Sequence, residues 1–538
     1  MVIDALIAAQ AELPAVDRFA RSYEADRTGQ WSTLIPLTQP APGHQYRFEV
    51  DLDTCTGCKA CVTACHSLNG LDVGESFRSV GVLLTESVPV EIGPGPVNQT
   101  VTTACHHCAD PGCMTGCPAN AYEKDPVTGV VKHLDDACIG CEYCTLTCPY
   151  DVPVYNDRLG IVRKCDMCTD RLADGEAPAC VQGCPNNAIT IGVVSLAEVT
   201  TPGQQGSLLP SAPPSILTSP STRYHRSGSD VADTLDGAVA GDAQHVAPGP
   251  GHPPLVVLLV LSQAAVGLHI ASLVSSPWLS ASQRAASALI VVALALVAAS
   301  ASVLHLGQPF KAWRAVLGFG HSWLSREVVA VGAFATAALA TAAVTLLTDS
   351  IDSAAGVALG LVGALAGAAT VSASAMVYVA TKRTWWRASL TGPKFGLTAV
   401  VGGVAMLRFV TAVVDGAVSE QSFSLALALL IIVSLGVKTR AETLVLLQQL
   451  DGQEQRTATL LRGDLSETLR LRLGFIVGAA LLAAMTALLS FTGGTTLTAT
   501  LTTSAAALTA VVAIGGELLA RSLFFQASCV SVMPGGPT

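Results

Sequence analysis

Cys138, Cys141, Cys144 and Cys148, with Pro149 behind them, are spaced C-x2-C-x2-C-x3-C-P. Three thiolates spaced this way can wrap one iron–sulfur cube from a single turning loop, and the fourth, held straighter by the proline, points away to a second cube. Such a motif needs a partner motif, and the chain supplies three. Cys55, Cys58, Cys61 and Cys65 repeat the spacing. Cys105, Cys108, Cys113 and Cys117 widen the middle gap before Pro118, and Cys165, Cys168, Cys180 and Cys184 widen it further before Pro185. Sixteen of the 17 cysteines thus lie in four sets of four between residues 55 and 184, the ligand count for four 4Fe-4S clusters.

Other uses of so many cysteines fit poorly. Disulfide frameworks suit small domains in oxidising compartments, and zinc is normally closed into one tetrahedral site by paired CxxC knuckles. The net charge of −10 is concentrated ahead of about residue 202, and bound clusters would make that part more negative. Nucleic acid is excluded as a partner, because phosphate binding needs a basic face. Beyond about residue 254 the chain is dominated by Ala, Leu, Val and Gly, so its two parts are built for different solvents.

Residues 1–44 have no basic n-region and no unbroken apolar run, so they do not read as a signal peptide. Short helices over Ile3–Glu12 and Val16–Tyr23 are expected instead. In the cysteine-bearing part, residues 45–202, Tyr46–Leu52 alternates apolar and polar residues and delivers the chain to Cys55 as a strand. A second strand, Val130–Leu134, follows the turn Asp125–Gly129 and leads to Cys138. Val80–Glu91 and Val97–Thr103 flank an Ile-Gly-Pro-Gly-Pro turn and predict an inserted hairpin. His106 and His107 lie between cluster ligands, where hydrogen bonding to sulfur or backbone is expected of them rather than iron ligation. The fold expected is an α+β, bacterial-ferredoxin-like domain with four cysteine motifs, a duplicated two-cluster ferredoxin.

The strings CTGCKACVTACHSLNG, CHHCADPGCMTGCP, CIGCEYCTLTCPYDVP and KCDMCTDRLADGEAPACVQGCP resemble the four motifs of the iron–sulfur subunit of the dimethyl sulfoxide reductase family. The resemblance covers about residues 45–195, with the motifs in the family's order. It implies that the first and fourth motifs share two clusters, one on Cys55, Cys58, Cys61 and Cys184 and one on Cys165, Cys168, Cys180 and Cys65. The second and third motifs would share the other two, on Cys105, Cys108, Cys113 and Cys148 and on Cys138, Cys141, Cys144 and Cys117. Some relatives replace a third-motif cysteine and carry a 3Fe-4S cluster; here every cysteine is present.

Residues 203–253 are crowded with Pro, Gly and Ser and predict an extended linker, although Pro220–Tyr224 could dock on the cluster domain as family tails do. Eight apolar stretches follow within residues 254–526, at roughly 254–275, 285–306, 327–348, 354–380, 395–414, 423–446, 472–491 and 499–522. Each is near the ~20 residues that a helix needs to cross a bilayer, so an all-α, eight-helix transmembrane bundle is expected, with a tail over 527–538. The even connections are basic, with Lys311, Arg314 and Arg326 in the second, Lys382, Arg383, Arg387 and Lys394 in the fourth, and Arg456, Arg462, Arg470 and Arg472 in the sixth. The third and fifth carry Asp349, Asp352, Asp415 and Glu420. The positive-inside rule puts the even connections, both termini and the clusters on the cytoplasmic face of the cell membrane.

HLGQPFKAWRAVLGFGHSWLSREV, MVYVATKRTWWR and GELLARSLFF resemble the membrane anchor of the same family and its quinol-oxidising relatives. That resemblance implies quinol as substrate, menaquinol being the one expected, with no haem, and a quinol site at His305 and Glu327, groups that can accept protons. It also implies electron flow through the clusters, starting from the Cys138 set, to a separate molybdopterin-containing catalytic subunit that reduces an acceptor such as a sulfoxide, N-oxide or nitrate. The same path run backwards would serve a formate- or sulfur-compound-oxidising complex that reduces quinone. A proton pump would need a continuous series of buried ionisable groups, whereas the sequence puts them mainly at helix ends. Glu517 and Arg521 read as an ion pair on one helix face, and Trp313, Trp323, Trp385 and Trp386 as an interfacial belt. Cys529 is left over as a free thiol.

Overall fold

A computed structural model describes residues 33–84, 98–201, 206–226, 235, 237–242, 246–347, 353–414, 421–447, 452–492, 496–529 and 533–534. The helices expected before residue 24, the turn of the inserted hairpin, and Asp349, Asp352, Asp415 and Glu420 lie outside these residues.

Strand β1 (His44–Asp51) buries Tyr46, Phe48 and Val50 on one face, as its alternation dictates. Strands β2 (Arg78–Leu84) and β3 (Asn98–Ala104) form the inserted hairpin, with Val80 opposite Thr102. Two short hairpins carry the chain from one cysteine motif to the next. The first is β4 (Tyr122–Lys124) with β5 (Val131–His133), and the second is β6 (Val154–Asn156) with β7 (Ile161–Arg163). The turn between β4 and β5 is held by the Asp125 carboxylate, which accepts from the N–H groups of Val127 and Thr128. Strand β8 (Ile189–Ser195), after the fourth motif, returns antiparallel to β1 with Phe48 opposite Ile191. The two ends of the cysteine-rich stretch are thereby joined in one sheet, as in a ferredoxin.

The described residues between 206 and 253 differ from the extended linker expected over 203–253. Strand β9 (Arg223–His225) pairs parallel with β1, and β10 (Val239–Ala240) extends β2. Ser221 donates to the His106 carbonyl at 2.7 Å, and Tyr224 to that of Thr102 at 3.2 Å. Leu209, Ala212, Tyr224 and Leu235 enter a core with Val50, Leu52, Val101 and Met533. Isolated apolar residues among the prolines are enough to bury this layer without any helical or strand periodicity.

Eight helices among the described residues are long and apolar enough to cross a membrane. They are Pro253–Val274, Ala281–Leu304, Trp323–Leu347, Ala354–Val379, Ala388–Val413, Gln421–Leu447, Ser466–Leu489 and Thr496–Gln526, here the first to eighth membrane helices. The second opens on a capping box in which Ser280 and Gln283 each satisfy the other's backbone N–H. Gly267 on the first helix lies against the backbone of Ala399 and Gly403 on the fifth, an approach that any larger side chain would block. The sixth connection holds a short helix, Gln453–Arg462, that the sequence pattern does not mark.

Two expectations for the bundle are corrected. Glu517 pairs with Lys438 of the sixth helix and accepts from Thr398 at 2.6 Å. Arg521 instead donates to Gln263 of the first helix at 2.9 Å. Each side chain thus finds a partner on another helix rather than in the other, and both are buried away from the helix ends. Trp385 and Trp386 are core residues, packed with Tyr378, Phe395, Phe524 and Phe525, because the cluster domain covers this end of the bundle. Trp313 remains exposed.

Candidate metal centres

None of the 17 cysteines is joined in a disulfide. In each motif the residue before the second cysteine has a left-handed backbone: Gly57 at φ 70°, His107 at 41°, Gly140 at 66° and Met167 at 62°. This reversal turns the loop so that successive thiols face one cavity. Backbone N–H groups then point back at sulfur, from Ala121 to Cys117 at 3.2 Å, Ala188 to Cys184 at 3.3 Å, and Gly140 to Cys138 and Met167 to Cys165 at 3.4 Å.

Cys55, Cys58, Cys61 and Cys184 line one cavity. Cys65, Cys165, Cys168 and Cys180 line a second, and Cys105, Cys108, Cys113 and Cys148 a third. Cys117, Cys138, Cys141 and Cys144 form a fourth group, each within electrostatic reach of others in it. Burial pushes the thiol of Cys65 up to about 12 and those of Cys113, Cys144 and Cys165 well above the usual range. Four protonated thiols in one apolar cavity are poor packing, whereas a metal cluster stabilises them as thiolates.

The polar groups around the cavities also fit such a cluster. His107 accepts the Val131 N–H on Nδ1 at 3.1 Å, so its proton is on Nε2, which is buried without a partner among the described residues and belongs to the lining of the third cavity. Burial and Arg78 pull His106 down to about 3, which keeps it neutral. Neither imidazole is needed as a ligand; His107 Nε2 is a donor lacking an acceptor, which cluster sulfide would supply.

The fourth group sits on the membrane half. Gly307 and Gln308 donate backbone N–H groups to the carbonyls of Gly140 and Ile139 at 3.2 and 3.1 Å. The Gly318 N–H reaches Pro118 at 2.7 Å, Ser322 donates to Gly116 at 2.7 Å, and His321 to Cys117 at 3.1 Å. From the fourth connection, Lys382 donates to Leu217 at 3.1 Å. The basic even connections and the cysteine cavities therefore share one side of the bundle.

His305 caps the second membrane helix and bonds to the Cys141 backbone, which partly opposes the burial and the neighbouring His252 that pull its imidazole down to about 4. Its Nε2 is buried with no partner among the described residues, and its ring lies 5.6 Å from that of His252. Glu327 lies one turn into the third helix, 6% exposed, and accepts from Ser374 of the fourth. Tyr143, between Cys141 and Cys144, donates to the Val377 carbonyl at 2.6 Å, and Glu327 acts on it electrostatically. His305 thus bonds to Cys141, and Glu327 lies within electrostatic reach of Tyr143, two residues on. Tyr143, Ser374 and His252 escape a reading of the sequence. Of the three, Tyr143 alone carries a signal, as an aromatic inside a cluster loop.

Residues 97–194 match the family model of the 4Fe-4S dicluster domain, and residues 248–526 that of the DMSO reductase anchor subunit (DmsC). The B subunit of the anaerobic dimethyl sulfoxide reductase of Escherichia coli is 39% identical over 153 residues, covering 28% of this chain and 74% of that one. The corresponding Haemophilus influenzae subunit is 34% identical over 201 residues, 36% of this chain and 96% of its own length. The thiosulfate reductase electron transfer subunit PhsB of Salmonella typhi is 37% identical over 158 residues, 29% of this chain and 80% of its own length.

Proposed function

Because this protein belongs to the DMSO reductase anchor subunit family and carries a 4Fe-4S dicluster domain ahead of that anchor, we propose that it oxidises quinol in the membrane and passes the electrons to a separate molybdopterin-containing subunit. In this reading it is the iron–sulfur and anchor module of a reductase complex of the dimethyl sulfoxide or thiosulfate type. The four cysteine groups hold four 4Fe-4S clusters with the ligand sets that line the cavities. When bound, the clusters supply one-electron carriers spaced from the bundle to the outer face of the domain.

The observation that carries the proposal is that His305 bonds to the Cys141 backbone, while Tyr143, two residues on, bonds to Val377 on the same helix as Ser374, the partner of Glu327. Quinol oxidation releases two electrons and two protons, so it needs an electron acceptor and proton acceptors at one place. His305 Nε2 is open to a hydroxyl hydrogen bond, and the Glu327 carboxylate, held by Ser374, can take a proton. The even connections carry the Lys and Arg excess, which supports a cytoplasmic location for the cluster side.

The test is cluster reduction by a menaquinol analogue in full-length protein purified in detergent. We expect roughly sixteen irons per chain, four for each 4Fe-4S cluster, and paramagnetic signals on adding the quinol. Protein that holds the iron yet is reduced by dithionite and by no quinol would overturn the proposed direction and site.

A further inference from the structure

Two buried cations stand between the cysteine cavities, and the quinol reading gives them no role. Arg78, 3% exposed, donates to Thr102 at 3.1 Å and stacks 4.7 Å from the Phe48 ring centroid. Its Nε and Nη2 have no partner among the described residues. The guanidinium borders the second cavity, while Thr102 lines the first and lies 3.6 Å from the Cys61 sulfur. Lys164, 5% exposed, is shared in the same way between the second and third groups. Its Nζ lies 3.7 Å from the Cys105 sulfur and donates to the carbonyls of Cys165, at 2.7 Å, and Val131. Three acceptors surround Nζ, matching the three N–H bonds of an ammonium.

Burying an unpaired cation is costly, and it persists where a fixed negative partner compensates it. Burial opposes the charge on both side chains, and the neighbours that favour it are cluster cysteines, Cys180 and Cys61 for Arg78 and Cys105 and Cys113 for Lys164. A cluster with four thiolates supplies that negative charge. Each electron that enters a cluster makes it more negative, and a fixed cation nearby, in a medium of low dielectric constant, favours that reduced form. Around the fourth group the matching cation is Lys311, on the anchor connection and only partly buried.

We propose that Arg78 and Lys164 are positioning charges that raise the reduction potentials of the three clusters farther from the bundle above that of the cluster on Cys117, Cys138, Cys141 and Cys144. Arg78 acts on the first and second clusters and Lys164 on the second and third. The electron that enters at the membrane then moves toward clusters that hold it more strongly, which sets its direction along the row. This inference rests on the cluster assignment above. It goes beyond it by naming residues that grade the row rather than hold it.

The test is a redox titration of the full-length, iron-loaded protein followed by electron paramagnetic resonance, with Arg78→Met, Arg78→Lys, Lys164→Met and Lys164→Arg. Iron content is measured first. Absence of four 4Fe-4S signals in the unaltered protein would overturn the cluster assignment itself. With the signals present, Lys164→Met should shift two of the four midpoints downward and leave the other two unmoved. Arg78→Met should do the same to a pair that overlaps the first in one cluster, and the charge-keeping variants should restore the midpoints. If a Met variant loses iron, its charge-keeping partner must still titrate as the unaltered protein does. Midpoints that stay put, fall equally in all four clusters, or fall as far in Lys164→Arg as in Lys164→Met would overturn the inference.

Discussion

Gly307 of the anchor lies against Gly160 of the cluster domain so closely that a Cβ on either would run into the other's backbone. Gly140 closes the same contact from the cysteine loop, and its left-handed φ of 66° is a second reason that no larger residue fits there. Three glycines from three segments therefore set how near the fourth cysteine group comes to the membrane helices.

Gly307→Val should push the two halves apart. Overpacking of this kind costs about 1–3 kcal/mol, or about a 5- to 150-fold loss of the docked arrangement. Reduction of the clusters by a quinol analogue should fall by a factor in that range while reduction by dithionite is unchanged. Equal loss of both would show damage to the clusters rather than to docking.

Glu327→Gln removes the proton acceptor but keeps the shape and the bond from Ser374. Proton transfer by a positioned side chain contributes about 10²- to 10⁴-fold, and the quinol-driven rate should drop within that range. Ser374→Ala leaves the carboxylate in place and should cost far less. Stopped-flow absorbance of the clusters compares the two, and a Gln variant as fast as the parent would remove Glu327 from the site.

Lys438→Met would strand the Glu517 carboxylate inside the bundle. Breaking a buried pair from one side costs about 3–5 kcal/mol. The double variant Lys438→Met, Glu517→Gln should recover much of it. Thermal unfolding in detergent should show the single variant clearly below both the parent and the double variant.

Iron removal should separate the two halves in stability. Metal binding is folding free energy for a domain whose interior is built of ligands, so chelation under reducing conditions should open residues 45–226 to protease. The eight helices, whose cores contain none of the sixteen ligand cysteines except where Cys141 borders the inner end, should keep their far-ultraviolet helical signal.

The cysteine sets and the membrane helices were legible because each obeys a strict local rule, ligand spacing in one case and apolar length in the other. Helix ends moved by several residues, as between Glu327 and the observed start at Trp323, because polar residues continue a helix that lipid no longer requires. The layer formed by Leu209, Tyr224 and Leu235 was hidden, since single apolar residues among prolines have no period to detect. Trp385 and Trp386 misled for another reason: tryptophan near a membrane boundary has the same sequence signature whether it meets headgroups or a second domain. Tyr143 was visible only as a neighbour of cysteines, and its bond to Val377 spans 234 positions.

Met533, beyond the eighth helix, is 1% exposed in the same core as Val50 and Leu52. Those partners leave the ribosome hundreds of residues earlier, so that core stays incomplete until the last span has been threaded. Only an even number of crossings returns the residues after 526 to where they wait. That small apolar cluster can close only with Met533 on the side of the bundle that carries the cysteine motifs, and a skipped helix would leave it on the other.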